Sequence, residues 1–325
     1  MQEHNSDVHW VWPTKVRLGN GREEEMEKYR FTPGDPRPDF MCVGAQKAGT
    51  TWLYQQLHSH PDFWMPPVKE LEYFTRFSRT KAPPRPRDDR DSCFLERMKC
   101  LSAKAYIDLE NYARLFEPKG SLLCGDVSPT YSMLNDEIIQ RIVDYFPSLK
   151  VIFLARDPVE RVWSQLSMGV RLGKITTFDV NDVDEVIQNL LSPGVFRLSF
   201  PSTIAARWRR HVPPDQFRVY LFDDLEENPA ELRRSILDFL GADTEKVNGK
   251  FGAGQNAEAG TKKLKLSDKV RSHLAQFFKK ELKACAAEFG GSAIKWPTRY
   301  GFSLLWLLVG VADKLNLFLW ADWTV

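Results

Sequence analysis

The amino-acid sequence predicts an α/β fold, a parallel sheet flanked by helices on both faces, because short apolar segments alternate with helical patterns. "FMCVG" (residues 40–44) has the length of a buried strand, and "TTWLYQQLHSH" after it has apolar residues at helical spacing until Pro61. "KVIFLAR" (150–156) precedes a helix that starts at Pro158, and "FRVYLFDDL" (217–225) precedes "NPAELRRSILDFLG". Such alternation is typical of parallel sheets.

Composition and charge exclude several classes of protein. The 325 residues are 43% hydrophobic and 27% charged, which is the profile of a globular protein with a sizeable core. A net charge of +2 gives no strong field for nucleic acid, so we expect no nucleic-acid partner. The five cysteines lack metal-site spacing, and we predict no metal site. The first twenty residues lack the pattern of a secretory signal, which favours a cytoplasmic location and reduced thiols.

Three segments are expected along the chain. Residues 1–36 are polar and irregular and predict an arm, residues 37–300 predict the main domain, and residues 301–325 form an apolar tail. The tail carries Asp313 and Lys314 in its middle, which disfavours a membrane span. Packing on the domain is the favoured interpretation, and peripheral membrane contact is the alternative. Residues 82–92 predict a mobile, charged surface loop placed to cover a site. The oligomeric state is left open.

A P-loop-like segment follows the first predicted strand. Gly44 and Gly49 have the glycine spacing of a phosphate-binding loop, but Thr50 stands where that loop has its lysine, and Lys47 lies three positions earlier. A helix start after a strand offers backbone N–H groups and a positive dipole to an anion. The candidate anion-binding residues are Gly44, Gln46, Lys47, Ala48, Gly49, Thr50, Thr51 and Trp52. Taken alone, Lys47 fits a solvated loop lysine equally well.

A second anion site is predicted at "LARDPVERVWSQ". Arg156 ends a strand and Ser164 lies eight positions later on the next helix. A guanidinium group that forks onto two oxygens, with a nearby hydroxyl, suits a terminal phosphate. The alternative for Arg156 is an ion pair with Asp157 or Glu160, and the pairing with the first loop favours the phosphate site.

These two segments resemble the nucleotide-binding signatures of the sulfotransferases that use 3′-phosphoadenosine 5′-phosphosulfate (PAPS). "VGAQKAGTTWL" is similar to the family's 5′-phosphosulfate loop, and "ARDPVERVWSQ" is similar to its 3′-phosphate motif. The likeness runs from about residue 38 to the helix that ends near Phe289. It implies PAPS as co-substrate and adenosine 3′,5′-bisphosphate as product.

The resemblance also implies roles for single residues. Lys47 would bind the phosphosulfate and stabilise charge on the leaving phosphate oxygen, while Gly49, Thr50 and Thr51 hold the 5′-phosphate. Arg156 and Ser164 would hold the 3′-phosphate. Trp52 matches a tryptophan that stacks on adenine, and a place in the core is its alternative. Lys262 and Lys263, in a basic loop, would touch the phosphosulfate, or they belong to a solvated charge run.

The acceptor side resembles the glutamate-base branch, which includes bacterial and heparan-type carbohydrate sulfotransferases. "MPPVKELEYF" is similar to a segment whose first glutamate is the base, and Glu70 has that register. Without the family, a solvated glutamate would be the default interpretation. Gln46 and Val127 stand where heparan-type relatives often have lysine, so a polyanionic sugar fits poorly.

The predicted function is therefore sulfuryl transfer to a hydroxyl or amine of a carbohydrate or small-molecule acceptor, with Lys47 and Glu70 as the catalytic residues. Two alternatives come from other classes. A P-loop nucleotide kinase would need Mg²⁺ and a lysine at position 50. A non-catalytic nucleotide-binding module would bind the donor product without transferring anything.

Overall fold

The computed structural model describes residues 36–75, 85–102, 107–175, 179, 182–190, 193–246, 252, 254 and 264–303. In this part of the chain, four strands form one parallel sheet: β1 (Phe40–Gly44), β2 (Gly125–Val127), β3 (Lys150–Ala155) and β4 (Phe217–Leu221). The predicted arm (1–36), the tail beyond residue 303, and Lys262 and Lys263 lie outside the described residues, apart from Pro36. The α/β fold class is confirmed.

Thirteen α-helices are described, and three short 3₁₀ turns lie at 117–119, 129–133 and 291–294. In chain order the helices are α1 (Thr50–His58), α2 (Asp89–Ser102), α3 (Leu109–Arg114), α4 (Asp136–Tyr145), α5 (Pro158–Arg171), α6 (Val183–Leu190), α7 (Pro193–Phe196), α8 (Pro201–Arg209), α9 (Phe222–Glu227), α10 (Pro229–Leu240), α11 (Asp268–Phe277), α12 (Lys279–Phe289) and α13 (Lys295–Thr298). None of them is long and apolar enough to cross a bilayer.

The strand order is β2-β1-β3-β4, so β1 and β3 are the two inner strands. Phe40 is paired with Gly125 on one side and with Lys150 on the other. The inner strands read as continuous apolar runs because both of their faces are covered, and residues 151–155 are at most 2% exposed. One hydrophobic cluster reaches from Phe40 to Trp296.

Two predicted segments differ in the structure. The strand after residue 217 ends at Leu221, and α9 begins at Phe222 because Asp223 and Asp224 lie in the first turn of a helix, where their charge is favourable. The prediction of a mobile loop over residues 82–92 is partly wrong, since α2 begins at Asp89. Arg87 donates hydrogen bonds to the buried Asp91 and to the Met65 carbonyl, so this half of the segment is fixed to the domain.

The last described helix forms a C-terminal anchor, Trp296–Tyr300, on the carboxyl side of the sheet. Trp296 Nε1 donates a 2.9 Å hydrogen bond to Asp223, and Arg299 is ion-paired with the same carboxylate. Tyr300 donates a 2.9 Å hydrogen bond to Asp157, which caps α5. The anchor therefore ties together the segments that follow β3 and β4.

Candidate donor and acceptor site

The site lies where the strand order reverses. The chain passes from β2, on one side of β1, to β3 on its other side, and the carboxyl ends of β1 and β3 are neighbours at this switch point. Ligands of open parallel sheets bind in the crevice that forms there. The loop of residues 45–49 follows β1, and Arg156 directly follows β3.

A cavity of about 590 Å³ opens at this point, which is large enough for a nucleotide. It brings together Lys47, Glu70, Arg156 and Ser164, which the sequence places in three separate segments. Its complete lining is Gln46, Lys47, Gly49, Thr50, Thr51, Trp52, Glu70, Arg156, Ser164, Ser167, Met168, Arg171, Leu172, Lys174, Phe222, Leu225, Glu226, Pro229 and Gly254. Gly44 and Ala48 belong to the same loop but do not line the cavity.

The loop after β1 presents a helix start to the cavity. Gly49 has a φ of 92° and precedes α1, whose amino end has no capping side chain. A Cβ at Gly49 would lie 2.7 Å from Leu225 Cδ2, so glycine is needed both for its backbone angle and for space. The positive end of the α1 dipole, with Thr50 and Thr51 in its first turn, favours an anion at this position.

Lys47 lies at the crest of the loop in a left-handed conformation, with a φ of 68°. Its Nζ lies 3.8 Å from Met168 Sδ on α5, a weak contact in which the ammonium donates to the thioether. The side chain thus extends from the β1 loop towards the last turn of α5, and both of these residues line the cavity. This placement brings its charge next to any group bound at the α1 start.

Arg156 is 5% exposed and lies beneath the cavity. Its Nη1 donates a 2.6 Å hydrogen bond to the Lys47 carbonyl, and its guanidinium carbon lies 4.1 Å from the centre of the Phe222 ring. Among the described residues no carboxylate is within ion-pair distance, and its buried Nε has no hydrogen-bond partner. The alternative of an ion pair with Asp157 or Glu160 is wrong, because those carboxylates pair with Arg299 and Arg271.

The environment of Arg156 suits an oxyanion. Burial lowers the pKa of its guanidinium because the charged form loses hydration. A bound phosphate would replace that hydration with charge-assisted hydrogen bonds. Ser164, 7% exposed and also lining the cavity, lies on α5 two turns after the strand end.

A second buried arginine holds α5 in place. Arg161 is fully buried and donates to Gln165, to the Val195 carbonyl and to Ser199 at 2.6–2.9 Å. Burial lowers the pKa of this group to about 9, and the nearby Arg156 acts in the same direction. These bonds fix the helix on which Ser164 and Met168 lie.

The Glu70 segment also has an unusual backbone. Among the described residues the non-glycine positions with positive φ are Lys47, Glu70 and Glu72, at 68°, 63° and 52°. Such conformations cost free energy and cluster at functional sites. Glu70 N donates to the Val127 carbonyl, and Lys69 Nζ lies 2.6 Å from Glu70 Oε1. Glu70 is one-third exposed and lines the same cavity as Lys47.

A buried carboxylate supports this segment from below. Asp126, 1% exposed, accepts hydrogen bonds of 2.6–2.9 Å from the hydroxyl groups of Tyr112, Ser128 and Tyr131. Ser128 Oγ in turn accepts from Glu72 N, and Tyr131 OH accepts from Tyr73 N. The end of β2 therefore fixes the backbone that carries Glu70.

The cavity wall also includes Trp52 and residues of α5 that were not predicted. Trp52 is 1% exposed, as expected of a core residue, and yet it forms part of the cavity wall. Phe222, Ser167 and Met168 also line the cavity and were not among the predicted site residues. The spacing of four between Ser164 and Met168 places both on one helix face and would have identified Met168, whereas nothing in the sequence pairs Phe222 with Arg156.

The chain matches the model of the sulfotransferase family over residues 38–246. A membrane-associated sulfotransferase of Dictyostelium discoideum, kil1, is 28% identical over 138 residues, which are 41% of this chain and 23% of that protein. The chain thus matches less than a quarter of that relative's length. A sulfotransferase of Alicyclobacillus acidocaldarius shares the fold, with a TM-score of 0.59 at 24% identity over 80% of this chain and 98% of its own.

Proposed function

The chain belongs to the sulfotransferase family, and we propose that it transfers a sulfuryl group from PAPS to a hydroxyl or amine group, with release of adenosine 3′,5′-bisphosphate. One observation carries this proposal: Lys47, Glu70, Arg156 and Ser164 line a single cavity at the switch point of the sheet. The acceptor is a carbohydrate or a small molecule.

The residues present fit a donor that has phosphate groups on the 5′ and the 3′ oxygens of one adenosine. The α1 start, with Gly49, Thr50 and Thr51, suits the 5′-phosphate. The buried guanidinium of Arg156 and the Ser164 hydroxyl suit the 3′-phosphate, and the unpartnered Nε of Arg156 is a donor available to it. Trp52, at the wall of the cavity, offers an aromatic surface to adenine.

Glu70 and Lys47 supply the chemistry. The Glu70 carboxylate accepts the proton that the acceptor hydroxyl or amine loses as its oxygen or nitrogen bonds to sulfur. The bond between sulfur and the phosphate oxygen breaks at the same time, and the electron pair stays on that oxygen. Lys47 stabilises the developing negative charge there. Lys69, ion-paired with Glu70, holds the carboxylate in place before transfer.

The test is transfer of labelled sulfate from PAPS into a mixture of small molecules and glycans, followed by mass analysis of the products. Lys47→Ala and Glu70→Gln should each lower turnover by about a hundredfold or more, and Glu70→Gln should leave donor binding intact. Glu72→Gln is the matched control, because Glu72 has the same backbone conformation but does not line the cavity. Normal turnover in folded Lys47→Ala would contradict its role.

Each of the two alternative functions predicts a different result. A nucleotide kinase would transfer phosphate from ATP in the presence of Mg²⁺ and show no sulfate transfer. A non-catalytic module would bind adenosine 3′,5′-bisphosphate in calorimetry but label no acceptor.

A further inference from the structure

The carboxyl end of α5 forms one wall of the cavity mouth, and the proposed donor contacts do not use it. Arg171, Leu172 and Lys174 line the cavity there, and we call these three residues the α5 rim. All three are exposed, and Leu172 retains 57% of its surface, which makes it the most exposed of the large hydrophobic residues in the described part of the chain.

The rim is built by a specific helix end. Gly173, with a φ of 65°, follows the last residues of α5, and its N–H donates to the Val170 carbonyl. Lys174 N donates to the Gly169 carbonyl, which completes a Schellman motif. Gly169 leaves room for Ile175, since a Cβ at Gly169 would lie 2.8 Å from Ile175 Cδ1. The chain therefore turns back after the helix, and Lys174 lines the same cavity as Arg171.

The position of the rim along α5 places it on the opposite side of the Lys47 contact from Ser164. Ser164, Met168 and Leu172 follow one another at intervals of four residues and so lie on one helix face, about one turn apart. Met168 contacts the Lys47 ammonium. Ser164 lies one turn before this contact, towards Arg156, and the rim lies one turn after it. A group held at the rim is thus about 5 Å along the helix from the point where Lys47 acts.

The charges of the rim have no partner in the described part of the chain. Neither Arg171 nor Lys174 forms an ion pair or a side-chain hydrogen bond there. The two carboxylates that line the cavity interact with other cations. Glu70 is ion-paired with Lys69, and Glu226 interacts electrostatically with Arg156. Two cations beside an exposed leucine match a ligand that has an oxyanion next to an apolar chain.

Resting on the function proposed above, we propose that the acceptor is a small amphiphile with one carboxylate or phosphate group next to an apolar chain, and that the α5 rim binds it. Arg171 and Lys174 hold the oxyanion, and Leu172 packs on the apolar chain.

The test measures binding of octanoate, octyl phosphate and octanol to the protein saturated with adenosine 3′,5′-bisphosphate, by calorimetry below micelle-forming concentrations. Either anion should bind about tenfold more tightly than octanol, and the difference should shrink with added salt. The preferred anion identifies the acceptor group as carboxylate or phosphate. The double variant Arg171→Gln, Lys174→Gln should remove the preference, and Leu172→Asn should weaken binding of all three probes several-fold.

The double variant Lys269→Gln, Lys280→Gln is the control, because it removes the same charge from exposed positions on α11 and α12. Equal affinity for anions and octanol, no binding of any probe, or an unchanged preference in the rim variant would overturn the inference. Binding of the bisphosphate nucleotide separates the two proposals. If the wild-type protein does not bind it, the proposed function fails together with the inference; if it binds normally, a negative probe result removes the inference alone.

Discussion

The Arg156 guanidinium donates a 2.6 Å hydrogen bond to the backbone carbonyl of Lys47, so the segment after β3 holds the loop after β1. The same guanidinium stacks on Phe222, at the end of β4. One buried side chain thus joins the carboxyl ends of three strands. A ligand that binds Arg156 therefore also acts on the loop that positions Lys47, through this hydrogen bond.

Arg156→Lys should weaken binding of adenosine 3′,5′-bisphosphate by about tenfold or more, because lysine keeps the charge but loses the planar donors and the contact with the Lys47 carbonyl. Calorimetry with this nucleotide and with adenosine 5′-phosphate measures the preference for the 3′-phosphate, which should fall. Arg141→Lys on the surface of α4 is the matched control. An unchanged preference would show that Arg156 does not contact the 3′-phosphate.

Asp157→Asn should change the pH dependence of stability. Burial raises the pKa of Asp157 to about 6, although Tyr300 and Arg299 favour its ionised form. The folded state then binds more protons than the unfolded state between about pH 4 and 6. Relative to high pH, Asp157 therefore increases the free energy of unfolding as the pH falls through 6, and it contributes nothing above that pH. At pH 4.5 the contribution is about 2 kcal/mol.

The free energy of unfolding of Asp157→Asn, minus that of the wild type, should therefore decrease by about 2 kcal/mol when the pH is lowered from 7.5 to 4.5. Denaturant titrations at both values measure it. Taking the difference between the two proteins removes the titration of other carboxylates, such as Asp62 and Asp136, whose pKa values are lowered by Lys246 and by His211 with Arg210. A difference that does not vary with pH would contradict the raised pKa.

Asp126→Ala should cost about 3 kcal/mol of stability, because three buried hydroxyl groups lose a charged acceptor. Turnover should fall as well, since Ser128 and Tyr131 position the backbone around Glu70 and Glu72. Tyr112→Phe removes one donor without disturbing Ser128 and should lower stability less, with turnover unaffected. Equal loss of turnover in both variants would contradict the positioning role of Ser128 and Tyr131.

Gly49→Ala should weaken nucleotide binding about tenfold and destabilise the fold by about 1–2 kcal/mol. The φ of 92° disfavours alanine, and its Cβ would meet Leu225. Gly120→Ala is the control: Gly120 also has a positive φ of 58°, but a Cβ there would meet nothing within 4 Å. Both variants carry backbone strain, so nucleotide affinity lost only at position 49 would assign the effect to the loop.

The local parts of the fold were accessible from the sequence. Asn228 caps α10 and Gly241 ends it with a φ of 83°, so the predicted helix "NPAELRRSILDFLG" agrees with α10 at both ends. These features depend on side chains within a few residues of one another. The end of β4 was placed too late. Asp223 and Asp224 favour a helix start locally, and Asp223 is also held by Trp296 and Arg299, which lie far away in the sequence.

The predicted site residues came together in one cavity, apart from Lys262 and Lys263, which lie outside the described residues, and Gly44 and Ala48, which only support the loop. The strands end at Gly44 and Ala155, so the reversal of strand order alone brings their loops to one place. The spacing of four from Ser164 through Met168 to Leu172 places the rim on the site-facing side of α5, but it gives no contact with Lys47, which arises from packing between the β1 loop and α5. The contact of Phe222 with Arg156 likewise arises from packing between segments that are far apart in the sequence.

The C-terminal anchor has a consequence for how this chain is synthesised. All four strands have been translated by Leu221, but Asp157 and Asp223 meet Tyr300, Trp296 and Arg299 only when the final part of the described chain has left the ribosome. A nascent polypeptide that has reached Leu221 therefore holds all four of the described strands before the anchor can dock at their carboxyl edge. Native docking at that edge must therefore wait until residues 296–300 have left the ribosome, well after the fourth described strand has been made.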